Sequence, residues 1–501
     1  MTSPGATTPA ELLAEDGARE MSLGWALSWQ AARDPDRPAL TMAGRTLTRR
    51  ELDGEANRLA RALAGLGVEK DDRVAVALPT GPRHQITCFA LWKLGATVIP
   101  LPHRIAAAEL AQLIDVSDAK LVVGVDADRA GGRRAVPADF VPDPGLSDDP
   151  LPEVVASVWK GATSGGSTGL PKVIWDPRPS LVHPLQPMPV LQIGLEDVVL
   201  HPATAHHNSP FCQTAWALCW GLHVILMERF DALEWLRAVE RYRVTWAYLV
   251  PTMMSRILNV AESTRAAADV SSLRVVIHMA APCPPWVKQA WIDWLGADKI
   301  WEVYAGTEGY GATMVSGVEW VSHPGTVGRV SPDTQIRDDA GNVLPPGEIG
   351  TIWFLPPGAA GGAGDPMKTY GDMGRIDADG YLYLADRRTD LILTGGGNVY
   401  PAEIEAAIEQ HPSVASVVVV GLPDDDLGAK AHAILELVPG RQEPSPPELL
   451  SFLEPLLSRQ KVPYTYEVVT SQLRDDAGKV RRYALREERV VVPRDSYLTL
   501  R

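Results

Sequence analysis

Thr163-Ser164-Gly165-Gly166-Ser167-Thr168-Gly169-Leu170-Pro171-Lys172 gathers three glycines, four hydroxyls and a lysine into ten residues. Glycine backbone reaches positive φ and brings N–H groups close to an anion. The hydroxyls add further donors and Lys172 adds a cation, which together make the chemistry of a polyphosphate cradle. The spacing is not that of a P-loop NTPase, where Gly-Lys-Ser/Thr is contiguous at a helix start. Here Leu170 and Pro171 intervene, and Pro171 opposes a helix beginning at that point. The stretch reads as a flexible phosphate loop; the competing reading is a Gly/Ser-rich surface linker. Pro-Lys running into apolar Val173-Ile174-Trp175 favours the loop. Residues 154–160 ahead of it are an apolar run of strand character, and ligand loops in α/β sheets follow the carboxyl ends of strands.

A chain of 501 residues exceeds what one core organises and predicts at least two domains. The composition is that of a globular protein, 46% hydrophobic and 22% charged. A net charge of −15 argues against nucleic-acid binding, which needs a basic face to displace counterions. Cys88, Cys212, Cys219 and Cys283 show no metal-ligand or disulfide-framework spacing and read as small buried hydrophobes. The first 23 residues lack the apolar core of a signal peptide, and no run reaches membrane-spanning length. A soluble, cytoplasmic protein is expected. Its oligomeric state is left open.

From about residue 22 to 384, strand-length apolar runs (73–78, 96–101, 120–125, 222–227, 246–250, 274–279) alternate with helical patterns such as 49–66, 106–114 and 232–242. That alternation predicts an α/β fold: a large N-terminal domain of parallel-rich sheets flanked by helices, over residues 1–389. Residues 390–501 read as a small, mobile α+β domain, with a helix at 401–409 opened by Pro401 and Glu403.

Further motifs follow the loop in order: Tyr304-Ala305-Gly306-Thr307-Glu308, Tyr370-Gly371-Asp372, Asp386-Arg387-Arg388-Thr389-Asp390, Gly395-Gly396-Gly397-Asn398 leading into Pro401-Ala402-Glu403-Ile404-Glu405, and Arg474-Asp475-Asp476-Ala477-Gly478-Lys479. With this ordered set the chain resembles the adenylate-forming superfamily of acyl-CoA synthetases, aryl-CoA ligases, adenylation domains and luciferases, over nearly its whole length. The resemblance implies that residues 163–172 hold the β- and γ-phosphates of ATP. Thr307 would bind the α-phosphate (that of AMP after reaction) and Glu308 would hold Mg²⁺, a hard cation that takes carboxylate oxygen. Asp372 would accept from both ribose hydroxyls and Arg387 would donate to the ribose and phosphates. Ala280-Ala281-Pro282 would pack on adenine beside Tyr304, with Glu302 accepting from the adenine amino group. Lys479 would bring a cation to the acyl carboxylate and α-phosphate during adenylation. Asp390 would be the hinge about which the small domain turns, carrying Lys479 out and bringing Gly395, Gly396 and Gly397 in to line a coenzyme A tunnel. Taken singly, Asp372 also reads as a turn residue, and Lys479 and Glu308 as surface charges.

The segments 278–286 and 207–211 are similar to bacterial acyl-CoA synthetases of the bile-acid and steroid-acid type. This implies an acyl pocket at His207, Asn208, Phe211, Ala305, Gly306 and Tyr310, with His207 as its gate; His207 reads equally as a core histidine. Arg in excess of Lys, with abundant Ala, points to a high-GC bacterium and a natural-product pathway for a bulky terpenoid or polyketide acid. Four positions depart from the family pattern: Ala305 where glycine is usual, Leu473 where proline precedes Arg474, and Asp475 and Asp476 close to Lys479. The function expected is an acyl-CoA ligase, converting a small-molecule carboxylic acid to acyl-AMP and then to its CoA thioester. The alternatives are a half-reaction enzyme that transfers a preformed acyl-adenylate to CoA, an acyl-AMP ligase that loads a carrier protein, and a nucleotide-binding pseudoenzyme.

Overall fold

The computed structural model of the chain describes residues 17–165, 171–359, 366–387, 390–394, 397–424, 427–475, 478–492 and 496–500. Two compact units emerge, one drawn from Met1–Leu249 with Thr264–Val276, the other from Val250–Ser263 with Ile277–Arg501.

In the first unit the aliphatic runs become parallel strands. Thr97–Pro100, Arg73–Val76, Leu121–Val123 and Arg134–Val136 lie side by side in that order, all parallel. Val74, Ala75 and Val76 are all fully buried, which is why the strand reads as an unbroken apolar run. In a second sheet, Val198–His201 runs parallel to both His223–Leu226 and Trp246–Leu249, and His223–Leu226 runs parallel to Pro38–Met42. The helix Arg49–Gly65 starts on a capping box: the Thr48 hydroxyl accepts from the Glu51 N–H at 3.2 Å, and Glu51 accepts from the Thr48 N–H at 2.8 Å. Its buried Asp53 holds Lys93 at 2.7 Å, pinning the helix Pro82–Lys93 against it.

Residues 154–160 are not a strand. Two backbone donors there go to side chains: Ala156 N–H to Ser180 Oγ at 2.8 Å, and Ser157 N–H to Asp71 Oδ1 at 2.6 Å. Only the end of the segment meets a strand, where Val98 N–H donates to Trp159 O at 3.3 Å and Lys160 forms an isolated parallel bridge with Val98. Continuous pairing begins at Gly161–Gly165, antiparallel to Pro171–Trp175.

In the second unit the parallel alternation gives way. Ile300–Ala305 and Ala312–Ser316 form an antiparallel pair. Gly328–Arg329, Tyr381–Arg387, Asp372–Ile376, Gly350–Trp353 and Gln335–Arg337 follow as an antiparallel sheet in that spatial order. Tight turns are the cause. Gly380 N–H returns to Asp377 O at 3.1 Å, and so short a connection can only join antiparallel neighbours. Near the C-terminus, Val414–Asp424 pairs antiparallel with Gly428–Leu437, which runs parallel to Thr465–Val469. Val417 and Val419 enter one apolar cluster, while Val418 and Val420 enter another on the opposite face. The helices Pro401–Ile408, Pro446–Leu453 and Arg482–Val490 complete this α+β part.

Among the described residues no helix is long and apolar enough to cross a membrane. Cys88, Cys212 and Cys219 are buried and Cys283 is half-buried.

Candidate active site

The glycine-rich stretch is the tip of a hairpin. Thr163 stands opposite Val173, Ser164 opposite Lys172 and Gly165 opposite Pro171. Gly166, Ser167, Thr168, Gly169 and Leu170 lie outside the described residues, as do the side chains of Ser164 and Pro171. Lys172 is exposed. The base of the hairpin is fixed by charge: buried Lys160 stands 3.6 Å from Asp176, which Arg178 grips through two bonds of 2.9 and 2.6 Å. Burial pushes the Asp176 pKa up, but Arg178 and Lys160 outweigh it and hold the carboxyl at about 2. Gly161 is required by packing, since a Cβ there would sit 2.7 Å from the Trp175 ring.

His207 caps the helix Asn208–Cys219, its carbonyl accepting from Phe211 N–H at 3.0 Å and its ring 4.1 Å from that of His206. Asn208 accepts from Cys212 Sγ at 3.5 Å. Phe211, expected in the acyl pocket, is only 1% exposed; its ring stacks on Trp159 at 6.0 Å and packs on Trp92 at 5.7 Å. Protein side chains enclose it in this structure.

The second unit brings several motifs together. The strand Val275–His278 ends in Ala280, a non-glycine residue held at φ 78°, beside half-buried Ala281 and exposed Pro282. Backbone held in so sparse a region is stored strain of the kind found at ligand clamps. Glu302 is buried, with Lys288 Nζ donating to its Oε2 at 2.7 Å; the His278 ring stands 3.9 Å away, beyond hydrogen-bond distance. Burial raises its pKa against the opposing pull of Lys288. Tyr304, on the same strand, donates its hydroxyl to Asp372 Oδ2 at 2.7 Å. Asp372 stands directly opposite Arg387 in the ladder; the Arg387 side chain lies outside the described residues.

Ala305 ends that strand, exposed and opposite Ala312. Gly306, Thr307 and Glu308 then make a half-buried turn closed by Gly309 N–H on Gly306 O at 3.1 Å. Tyr370 covers the turn. Its hydroxyl accepts from Gly311 N–H at 3.0 Å and donates to Gly311 O at 2.9 Å, and its ring stacks on Tyr310 at 5.3 Å. A Cβ at Gly306 would lie 2.1 Å from that ring.

Gly395 and Gly396 lie outside the described residues, while Gly397 opens the strand Gly397–Val399, opposite Thr394. Asp390 accepts from Arg482 Nε at 3.1 Å. Lys479 is exposed on a turn in which Asp475 Oδ1 accepts the Lys479 backbone N–H at 2.8 Å and Asp475 N–H donates to Lys479 O at 3.0 Å. Asp475 thus shapes the turn that presents the lysine. Gly478, at φ 74°, faces Thr252 Oγ1 and Val250 at the start of the helix Pro251–Leu258. Leu473, in place of proline, is a core residue whose N–H donates to Glu436 at 3.1 Å, a bond proline lacks.

The family model of the AMP-binding enzyme matches residues 27–362, and that of the AMP-binding enzyme C-terminal domain matches residues 403–479. This chain belongs to the AMP-binding enzymes. It is 30% identical over 499 residues to the fatty acid–[acyl-carrier-protein] ligase ScoC of Streptomyces coeruleorubidus, covering 92% of this chain and 95% of the relative. It is 31% identical over 491 residues to the 3-[(3aS,4S,7aS)-7a-methyl-1,5-dioxo-octahydro-1H-inden-4-yl]propanoyl:CoA ligase of Mycobacterium tuberculosis, covering 90% and 96%. Its fold is that of the Bacillus subtilis o-succinylbenzoate CoA synthetase in complex with its acyl-adenylate, at a TM-score of 0.77 and 23% identity over 93% of this chain and 98% of the other. The chain is an adenylate-forming acyl ligase.

Within this AMP-binding enzyme, sequence reasoning gave no role to Lys288, Glu405, Arg474 or Arg482. Lys288 carried a signal: in the helix Pro285–Leu295 it shares one apolar stripe with Val287, Trp291 and Ile292, and a lysine there needs a buried partner. Glu405 and Arg474 stand inside the motifs 401–405 and 474–479 and Arg482 follows the latter, but only the folded chain gathers the three.

Proposed function

We propose that this AMP-binding enzyme is an acyl-CoA ligase of the cytoplasm, acting on a bulky, apolar carboxylic acid. The acid's carboxylate oxygen attacks the α-phosphorus of ATP, the bond to the β-phosphate breaks, and pyrophosphate leaves. The thiol of coenzyme A then attacks the acyl carbonyl; AMP leaves as the thioester forms, and the thiol proton passes to solvent. Residues 163–172 bind phosphate, Thr307 the α-phosphate, and Asp372 with Arg387 the ribose. The carrying observation is the 2.7 Å bond from Tyr304 to Asp372, which orients a carboxylate beside an aromatic face. A carboxylate so oriented suits a vicinal diol, and the aromatic face suits a base.

Glu308 fits a magnesium ion that arrives on the ATP phosphates. It offers a hard oxygen donor on a half-buried turn, and among the described residues no group of three or more His, Cys, Asp or Glu would hold a metal by itself. Such an ion lowers the charge barrier between two anions. Lys479 does the same from the protein side. The domains of this reading are residues 1–389 and 390–501, with Asp390 as the hinge between the half-reactions.

Incubation with ATP, Mg²⁺, CoA and a panel of bulky acids is expected to yield AMP and thioester, and absence of AMP with every acid sinks the reading. Lys479→Ala is expected to slow acyl-adenylate formation by about 10²–10³. A carrier-protein thiol as acceptor is a second reading, favoured by the likeness to ScoC. Competition between CoA and a phosphopantetheinyl carrier protein separates the two.

A further inference from the structure

A buried charge cluster stands between two positions that the proposed reaction needs, the hinge and the lysine. At its centre is Glu405, on the inward face of the helix Pro401–Ile408. Its side chain is 8% exposed and is wholly engaged. Oε1 accepts the Val419 backbone N–H at 2.8 Å and a guanidinium N–H of Arg482, while Oε2 accepts Arg474 Nη2 at 3.3 Å. Two arginines on one buried carboxylate make an arrangement that breaks badly, because removing one member leaves uncompensated charge in a dry site.

Each arginine reaches a second target. Arg482 donates Nε to Asp390 at 3.1 Å and a second guanidinium N–H to the Val419 carbonyl. Arg474 donates to the Val417 carbonyl at 3.1 Å and to the Gly478 carbonyl at 3.4 Å, one residue before Lys479. The planar fork of arginine allows this, since its donors diverge at fixed angles toward separate acceptors. A continuous path therefore runs from the Asp390 carboxylate through Arg482, Glu405 and Arg474 to the backbone beneath Lys479. The strand Val414–Asp424 braces it at alternate carbonyls, Val417 and Val419.

We propose that Arg474 and Arg482, gathered by Glu405, are positioning residues that hold the Lys479 turn and the Asp390 pivot in one fixed relation. Rotation at the pivot then carries the lysine as a rigid attachment. Lys479 sits at a set height because the carbonyl before it is tethered by Arg474 and its own N–H by Asp475. The inference rests on the reading of Lys479 as the adenylation cation and of Asp390 as the hinge. Its consequence is selective, because loosening the tether displaces the lysine without touching the acid, the nucleotide or the thiol.

The test is Arg474→Met, Arg474→Lys and Lys479→Ala in the full chain, with the half-reactions measured separately. Pyrophosphate release from acid and ATP reports adenylation, and thioester formation from supplied acyl-adenylate and CoA reports transfer. For Arg474→Met the expected result is a fall in adenylation kcat of about tenfold or more, KM values for ATP and acid within about twofold, and transfer little changed. Arg474→Lys is expected to recover part of the loss. A fall of both half-reactions in equal proportion, tracking a lowered melting temperature, overturns the proposal by making Arg474 merely structural. So does unchanged adenylation in Arg474→Met alongside a crippled Lys479→Ala. If Lys479→Ala itself adenylates normally, the role assigned to the lysine falls and the proposal falls with it.

Discussion

At the scale of single residues, the site depends on close approaches that only particular side chains permit. Gly306 lies under the Tyr370 ring, and that ring cannot retreat cheaply, because its hydroxyl exchanges two hydrogen bonds with the Gly311 backbone and its face stacks on Tyr310. Gly306→Ala is expected to push the ring off this seat at about 1–3 kcal/mol and to disturb the Thr307-Glu308 turn beside it. Thermal unfolding and the adenylation rate check this, and a variant with wild-type values of both contradicts it. The need for glycine at 306 was legible as a motif. Its reason was not, since Tyr370 lies 64 residues away in sequence and only packing brings the ring over the turn. Lys288 is similar: its place on an apolar stripe is visible in the sequence, whereas its partner Glu302 is not.

At the scale of elements, the helix Pro401–Ile408 and its cap residue Glu409 carry two carboxylates one turn apart, Glu405 and Glu409. They part company electrostatically. Burial pushes the Glu405 pKa up, but Arg482 and Arg474 pull it below the ordinary range. Glu409 is pushed up to about 7 by burial; Arg474, at 3.8 Å, pulls against this and Glu405 adds to it. A carboxyl raised on folding stabilises fully below its unfolded value near 4.5, and that contribution is lost as pH rises through 7. Glu409→Gln, which stays neutral, is therefore expected to match the wild type near pH 5 and to exceed it by about 1–3 kcal/mol near pH 8. Urea midpoints at the two pH values decide it; a gain at pH 5 equal to that at pH 8 rules out the titration.

At the scale of the whole molecule, the chain is an adenylate-forming acyl ligase whose described parts form two compact units. Any ligand that binds only the folded state raises its stability by mass action. Mg·ATP at a hundredfold excess over its dissociation constant is expected to add about 2.7 kcal/mol. A melting curve with Mg·ATP should move up by several degrees, and Asp372→Asn should shrink that shift. An equal shift in the variant would remove Asp372 from nucleotide binding.

What the sequence determined by itself was order. The spacing of aliphatic runs marked Arg73–Val76, Thr97–Pro100, Leu121–Val123, His223–Leu226 and Trp246–Leu249 to within two residues at each end, because strands buried on both faces are unbroken apolar segments; the parallel strands Pro38–Met42, Arg134–Val136 and Val198–His201 were not among the runs. The helix Ala232–Tyr242 was legible to the residue, since Asp231 caps it and Arg243 leaves it in a left-handed conformation. The glycine-rich stretch, with its failed P-loop spacing and its companions downstream, pointed to the family. Tertiary structure alone decided that Ala156 and Ser157 give their amides to Ser180 and Asp71 and that continuous pairing starts at Gly161, after an isolated bridge of Lys160 with Val98. It also decided that Phe211 faces tryptophans, and that Asp475, close to Lys479 in sequence, fastens the lysine's backbone. The physical reason is one of range. Periodicity, capping and turn chemistry act over a few residues, whereas the partner of a buried charge or a crowded glycine is chosen by which distant segment the core brings against it.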